Sequence, residues 1–228
     1  MIEAVVFDFD GTLAELHIDF SEMKARIARI AASYLGRRPP VPSRPALEWI
    51  DTLARILSKG EGPELSQKFR AEAMAEVESM EMSAARRGKL FPYSRNLLEE
   101  LQSLGVQTAI ITRNCDKAVR TVFPEVDRFC GCLLARDHVS RVKPHPEHLR
   151  RALAILGASR DKTLIVGDHP LDVQTGREAG TRTAAVATGR IGASELRAAR
   201  PDWVLKDCSE LISTLRESGL LPGARAVS

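Results

Sequence analysis

The sequence predicts an α/β fold, a doubly wound parallel sheet with a small inserted all-helical domain. Three observations lead to this prediction. An apolar run from Ile2 to Phe7, broken by one glutamate, is typical of a buried parallel strand. From residue 91 onward, helical and strand patterns alternate, as they do in parallel sheets. Between these regions the apolar residues recur at helical spacing, so we predict a core of residues 1–13 and 91–228 and a helical cap of residues 14–90.

The inserted segment is predicted to contain helices and no strand. Its helices are expected at Asp19–Leu35, Ala46–Leu57 and about Glu64–Ser83. Gly36 closes the first helix, and the proline-rich residues 37–45 form a stiff connection to the second. Because this insertion directly follows the first strand, we expect it to cover that strand's carboxyl end.

The rest of the chain supplies the other layers of the core. Strands are predicted at Val106–Thr112, Phe129–Leu134, Thr163–Val166, Thr183–Ala187 and Trp203–Leu205. Helices are predicted at Ser94–Leu104, Asp116–Val122, Pro146–Leu156, Val173–Ala179 and Ser209–Ser218. The tail after Pro222 is expected to be loose.

Composition excludes several classes of partner. The chain has 228 residues, is 44% apolar, and carries 33 basic against 30 acidic side chains. A net charge of +3 without a basic block does not favour nucleic-acid binding. No apolar stretch has the length of a membrane span, and the N-terminus enters a strand without a signal-type segment. We therefore expect neither a nucleic-acid partner nor a membrane partner.

Cysteine usage points to a reducing compartment. The chain has four cysteines without zinc-type spacing, Cys115, Cys130, Cys132 and Cys208. Buried thiols are the default interpretation, and a cytoplasmic protein fits them.

Two carboxylates follow the first strand. Asp8 and Asp10 are two positions apart, so their side chains point to one side while Phe7 and Phe9 point to the other. A solvated turn would explain Asp10. It does not explain Asp8, since a carboxylate directly after an apolar strand is costly to desolvate unless it is paired or bound to a metal. Open α/β sheets bind ligands at this end of their strands.

Further polar residues follow other elements of the predicted sheet. Thr112 ends the second core strand, Lys143 precedes a predicted helix, and Asp168 and Asp172 follow the strand Thr163–Val166. Mg²⁺ prefers one or two carboxylates together with water and phosphate oxygens. A lysine can neutralise a transferring phosphoryl group, one aspartate can attack phosphorus, and a second can protonate the leaving oxygen. Together these residues indicate phosphoryl transfer.

At this point the sequence resembles the haloacid dehalogenase-like (HAD) hydrolase superfamily. Four motifs occur in that family's order: Asp8-Phe9-Asp10-Gly11-Thr12, Thr112-Arg113-Asn114, Lys143-Pro144-His145-Pro146 and Gly167-Asp168-His169-Pro170-Leu171-Asp172. The helical insertion looks like the small cap of the phosphoglycolate phosphatase branch, set on a Rossmann-like core.

The resemblance implies a role for each motif. Asp8 would be the nucleophile, forming an aspartyl-phosphate, and would also bind the metal. Asp10 would be the general acid/base, with its backbone carbonyl on Mg²⁺. Asp168 would complete the metal site. Asp172 would either bind the metal through water or fix Lys143.

The implied site therefore has three overlapping sets of residues. The catalytic set is Asp8, Asp10, Thr112 and Lys143. The substrate-binding set is Gly11, Thr112, Arg113, Asn114 and Lys143. The metal ligands are Asp8, Asp10, Asp168 and Asp172. His169 departs from the family pattern, where serine is more usual, and is either a donor behind the ligands or an imidazole without a special role. The other histidines, including His145 and His148, are expected at the surface.

The resemblance implies a Mg²⁺-dependent phosphatase, a monomer or homodimer, that acts on a small phosphorylated metabolite such as a phosphoglycolate-like ester. A phosphosugar mutase or a nucleotidase stays open as an alternative. A dehalogenase or a phosphonate hydrolase would not need Asp10, whose presence argues against both. A catalytically silent binding domain would be expected to lack at least one of Asp8, Asp10, Lys143 or Asp168.

Overall fold

The computed structural model describes residues 1–222, and the predicted loose tail lies outside them. The strands are β1 (Ala4–Phe7), β2 (Ala14–Glu15), β3 (Lys89–Leu90), β4 (Gln107–Ile111), β5 (Cys132–Leu134), β6 (Thr163–Gly167), β7 (Arg182–Val186) and β8 (Trp203–Leu205). Six of them form one parallel sheet in the order β5-β4-β1-β6-β7-β8. Helices lie on both sides of this sheet, which confirms the predicted fold class.

The helices connect the strands in the expected alternation. They are α1 (Phe20–Leu35), α2 (Ala46–Gly60), α3 (Pro63–Ala85), α4 (Ser94–Ser103), α5 (Asp116–Val122), α6 (Val126–Phe129), α7 (Glu147–Leu156), α8 (Pro170–Ala179), α9 (Ala193–Ala198) and α10 (Leu211–Glu217). Within residues 1–222, no helix combines the length and the apolarity that crossing a bilayer requires.

Strand β1 lies at the point where the chain reverses direction across the sheet. Phe7 is in register with Ile110 of β4 on one side and with Val166 of β6 on the other. The chain builds β4 and β5 outward from β1, then returns to place β6, β7 and β8 on the opposite side. In doubly wound sheets, ligands bind at the carboxyl ends of the strands beside such a reversal.

One face of the sheet packs on α7. Val6 of β1 shares an apolar cluster with Ile111, Ile165 and the α7 residues Leu149 and Leu153. The ladder continues one residue past β1, because the Asp8 amide donates to the Val166 carbonyl at 2.8 Å. Asp8 is two positions after Val6, so its side chain leaves the strand toward the same face.

The chain divides into two compact units, residues 1–16 with 87–228 and residues 17–86. The second unit consists of α1, α2 and α3, which pack on one another. Asp19 caps α1 by accepting hydrogen bonds from the amides of Ser21 and Glu22. Leu57 and Phe69 are among its fully buried side chains.

Three features differ from the sequence prediction. Residues 14–90 do not hold helices only, since β2 and β3 pair as an antiparallel ladder with Ala14 opposite Leu90. Phe129 ends the short helix α6 instead of starting a strand, and β5 begins at Cys132. Helix α9 was not predicted. Strands of two residues and a helix of six are too short for a periodic pattern to identify.

Candidate active site

A buried lysine bridges two aspartates at the centre of the site. Lys143 Nζ lies 2.7 Å from Asp8 Oδ1 and 2.6 Å from Asp172 Oδ1. Lys143 is only 1% exposed, so its ammonium group is not a solvated surface charge. Burial alone would lower its pKa, but the Asp172 and Asp8 carboxylates raise the pKa above the usual value. The ammonium group is therefore charged.

Asp172 holds the lysine with one oxygen and the backbone with the other. Its Oδ2 accepts the His169 amide at 3.1 Å, at the start of α8. Gly167 makes this position possible, because a Cβ atom there would overlap the Asp172 carboxylate. Both oxygens of Asp172 therefore have protein partners, an arrangement that favours fixing Lys143 over binding a metal directly.

Asp168 is the third carboxylate of the cluster. One carboxylate oxygen each from Asp8, Asp168 and Asp172 lie within 4.8 Å of one another. Burial raises the pKa of Asp168 well above its usual value, and the charges of Asp8 and Asp172 raise it further. Burial likewise raises the pKa of Asp8, against the opposing effect of Lys143. If all three carboxylates are ionised, their charge exceeds what one lysine neutralises, which adds to the effect of burial in raising the pKa values of Asp8 and Asp168.

A divalent cation fits this donor set. The ligand atoms are carboxylate oxygens, which hard cations such as Mg²⁺ prefer. The raised pKa values of Asp8 and Asp168 mark a place where added positive charge is favourable. Asp168 accepts a hydrogen bond from Thr12 Oγ1 at 3.5 Å, which is long and weak and leaves the carboxylate available to a cation.

Two glycines from different loops lie in close contact with Asp168. A Cβ atom at Gly11 or at Gly189 would overlap the Asp168 carboxylate. Gly11 also has φ +85°, a left-handed conformation that favours glycine. The Gly11 carbonyl accepts the Thr188 hydroxyl at 2.5 Å, which ties the two loops together. Sequence reasoning missed Thr188 and Gly189, since they belong to none of the four motifs.

A tight turn places Asp10 beside the cluster. The Phe9 carbonyl accepts hydrogen bonds from the amides of Leu13 and Ala14. The Gly11 amide donates to the Ala14 carbonyl at 2.7 Å. Asp10 Oδ1 accepts the Leu16 amide at 2.9 Å. The Asp10 charge contributes to the raised pKa of Asp168, so the two carboxylates are close enough to interact.

The second motif surrounds a buried hydroxyl. Thr112 Oγ1 donates to Asn114 Oδ1 at 3.0 Å and accepts the Asn114 amide at 3.2 Å. Arg113 Nη1 donates to the Lys143 carbonyl at 2.5 Å. The side chain of Arg113, in the second motif, therefore binds the backbone of Lys143, in the third motif.

Two histidines have defined structural positions. His169 is the N-cap of α8, where its Nδ1 accepts the Leu171 amide at 3.1 Å. His148 was predicted at the surface and this was wrong, because it is completely buried. It occupies the same face of α7 as Leu149, Ala152 and Leu153, and that helical spacing is the signal that could have placed it inside.

Comparison with protein-family models gives a match over residues 5–186 to the model described as haloacid dehalogenase-like hydrolase. That range contains all four motifs.

Curated relatives carry the name pyrophosphatase PpaX. The Bacillus mycoides protein is 31% identical over 94% of this chain and 97% of its own length. The Bacillus cereus AH820 protein is 36% identical, but that match covers 53% of this chain and 56% of the relative.

Solved structures share the fold. A haloacid dehalogenase-like family hydrolase from Streptococcus pneumoniae has a TM-score of 0.61 at 24% identity, covering 94% of this chain and 98% of that one. CbbY from Rhodobacter sphaeroides, in complex with phosphate, has a TM-score of 0.61 at 22% identity, covering 92% and 96%.

Proposed function

This chain belongs to the haloacid dehalogenase-like hydrolase family, and from that premise we propose that it is a Mg²⁺-dependent phosphatase that cleaves a small phosphate monoester through an aspartyl-phosphate on Asp8. The observation that carries the proposal is the buried Asp8–Lys143–Asp172 bridge beside Asp168. The buried ammonium group offsets the charge of the two carboxylates, and it is also the group that can hold a phosphoryl dianion next to a nucleophilic carboxylate.

The first step is attack by an Asp8 oxygen on phosphorus. A new Asp8 O–P bond forms and the bond from phosphorus to the ester oxygen breaks. Asp10 donates its proton to the departing oxygen, so that an alcohol leaves instead of an alkoxide. Asp10 is then a carboxylate in position to accept a proton in the second step.

The second step is hydrolysis of the aspartyl-phosphate. Asp10 takes a proton from a water molecule as that water attacks phosphorus, and the Asp8 O–P bond breaks. Inorganic phosphate leaves, and Asp8 is restored as a carboxylate. The Thr112 hydroxyl and the Lys143 ammonium group hold the phosphoryl oxygens through both steps.

Asp8 and Asp168 would hold the metal, with the Asp10 backbone carbonyl as the third protein ligand. When bound, Mg²⁺ offsets the repulsion between Asp8 and the phosphate dianion. Asp172 keeps Lys143 in place, as its two hydrogen bonds suggest.

A second candidate substrate is inorganic pyrophosphate. A relative that is 31% identical over 94% of this chain is named a pyrophosphatase. Pyrophosphate would use the same attack by Asp8, with phosphate in place of the alcohol as the leaving group.

The experiment is a substrate panel with the wild-type chain and Asp8→Asn, assayed with Mg²⁺ and with excess chelator. The panel contains 2-phosphoglycolate, nucleoside monophosphates, sugar phosphates and pyrophosphate, and release of inorganic phosphate is measured. We expect turnover by the wild type with Mg²⁺ only. An acid-quenched sample should show one phosphoryl group on the peptide that contains Asp8. Full turnover in chelator, or by Asp8→Asn, would refute the proposal. Isomerisation of a sugar phosphate without phosphate release would identify a mutase.

A further inference from the structure

Two side chains outside the carboxylate cluster form hydrogen bonds with the backbone of Lys143. His148 Nδ1 accepts the Lys143 amide N–H at 3.2 Å. Arg113 Nη1 donates to the Lys143 carbonyl at 2.5 Å. The lysine that bridges Asp8 and Asp172 is therefore fixed at its backbone as well as at its ammonium group.

The hydrogen bonds of His148 determine its tautomer. Its Nε2 lies 2.9 Å from the Leu134 carbonyl, which can only accept, so Nε2 carries the proton. In a neutral ring Nδ1 is then the acceptor that the Lys143 amide requires. Burial, together with the nearby Lys143 cation, lowers the pKa of His148 to about 4, so the ring is neutral at neutral pH.

The Leu134 carbonyl connects two of the motifs. It accepts the Thr112 amide at 3.1 Å as well as the His148 ring at 2.9 Å. His148 therefore sets the distance between the strand end that carries Thr112 and the loop that carries Lys143. A leucine would fill a buried position of α7 without the cost of desolvating an imidazole. The presence of a histidine at this buried position is explained by its hydrogen bonds to the Lys143 amide and the Leu134 carbonyl.

Arg113 is itself held in place. Its carbonyl accepts Arg136 Nη1 at 2.8 Å, and Arg136 is buried. The Arg113 side chain thus links the end of β4 to the loop that carries Lys143, and the His148 side chain also binds that loop.

We infer that His148 and Arg113 are positioning residues, which fix the Lys143 backbone so that its ammonium group reaches Asp8, Asp172 and the phosphoryl group. The inference rests on the proposed function only where it gives Lys143 a phosphoryl group to hold. The Lys143 ammonium group is buried and lies within 2.7 Å of both carboxylates, so a shift of the Lys143 backbone must either move Nζ or strain the packed side chain. A misplacement of about 1 Å in an active site costs about 100-fold in rate.

The test compares two amide replacements of His148 in the full-length chain. The amide of His148→Asn can take the place of Nδ1 and keep the bond to Lys143. The amide of His148→Gln takes the place of Nε2 and loses that bond. Each variant keeps one of the two hydrogen bonds, so a purely structural role predicts similar losses for both. His145→Asn is the control, because His145 is also a histidine close to Lys143, lies outside the proposed catalytic and binding sets, and is partly exposed.

We measure turnover of the best substrate and the affinity for inorganic phosphate, both with Mg²⁺, and the melting temperature. His148→Gln should lose about 10–100-fold in kcat and in phosphate affinity, while His148→Asn should stay within about threefold of wild type. In the Lys143→Met background, His148→Gln should have no further effect on phosphate affinity. Equal losses for the two amides, or an undiminished effect without Lys143, would overturn the role of His148.

Arg113→Met separates positioning from direct contact with phosphate. Positioning predicts a loss of phosphate affinity that disappears in the Lys143→Met background. A loss that persists there would show that Arg113 contacts the phosphate and would overturn its positioning role.

Phosphate binding also separates this inference from the proposed function. If the wild type binds phosphate but hydrolyses no ester, the proposed function fails while the variants still test the positioning of Lys143. If the wild type neither binds phosphate nor turns over any substrate, both are overturned.

Discussion

Gly189 lies so close to Asp168 that the carboxylate occupies the space a Cβ atom at position 189 would need. The loop after β7 therefore helps to determine where one carboxylate of the cluster lies, although none of the three clustered carboxylates belongs to that loop.

Gly189→Ala should weaken metal binding, because the added methyl group must push Asp168 away from Asp8. A shift of a ligand by several tenths of an ångström is expected to lower metal affinity by about 10–100-fold, the range seen when metal ligands are disturbed indirectly. Titration calorimetry with Mg²⁺ measures it. Gly192→Ala is the matched control, since a Cβ atom there meets nothing within 4 Å. Equal affinity of the two variants would contradict this prediction.

Asp10→Asn should lose turnover in a way that depends on the leaving group. Losing a general acid costs about 10²–10⁴-fold for alkyl esters. The loss should be smallest for aryl phosphates, whose oxygens need little protonation, while Mg²⁺ binding persists. Rates for a series of esters with different leaving groups give the comparison. A uniform loss across the series would count against the acid/base role.

Lys143→Met should destabilise the metal-free protein by about 3–5 kcal/mol, because it leaves two buried carboxylates without their cation. Mg²⁺ should restore part of that loss by supplying positive charge to the same cluster. Denaturant unfolding with and without Mg²⁺ measures both effects. Lys162→Met removes an exposed pair with Glu3 of similar length, 2.7 Å, and should cost much less, because solvent screens an exposed ion pair. Similar costs for the two lysines would contradict this account.

His148 should make stability fall as the solution becomes more acidic. Its pKa is lowered to about 4 in the folded chain, so the unfolded chain binds the proton more tightly. Its contribution is complete above the unfolded value of about 6.5 and is lost as pH falls from there toward 4, by about 3 kcal/mol in total.

His148→Asn removes the ionisable ring and should therefore show a shallower fall in unfolding free energy between pH 7 and pH 4. Denaturant unfolding at a series of pH values measures both slopes, and His145→Asn controls for losing a partly exposed histidine. A wild type and a His148→Asn variant with parallel pH profiles would refute the assignment.

Exchange of residues 17–86 for the helical unit of a related phosphatase should change which esters are preferred. The residues proposed for the chemistry all lie in the unit of residues 1–16 and 87–228, so Mg²⁺ dependence and the need for Asp8 should remain. Relative kcat/KM values over the substrate panel provide the measurement. A folded hybrid with the original substrate ranking would assign specificity to the α/β unit.

The sheet could be predicted because its strands are apolar and are followed by polar motifs. Asp8 and Asp168 could be placed near each other because both follow strands that neighbour the reversal point of the sheet. The contact of Gly189 with Asp168 could not be predicted, since it depends on how closely two loops approach. Neither loop has a periodic pattern.

His148 shows a different limit of sequence reasoning. Its position on the buried face of α7 follows from helical spacing, but residue type argued for the surface, since histidine is polar. The two hydrogen bonds that compensate its burial go to backbone groups of Lys143 and Leu134. A hydrogen bond to a backbone group produces no recognisable pattern of residue types in the sequence.

Strand β1 is one of the two central strands of the six-stranded sheet, hydrogen-bonded on both sides, and all four of its residues are fully buried. Such strands exchange their amide hydrogens only when the whole domain opens. The proposed nucleophile Asp8 directly follows this strand, so we expect it to lose its position only when the sheet itself opens. Activity that remains after heating should therefore measure the fraction of molecules that have not unfolded globally.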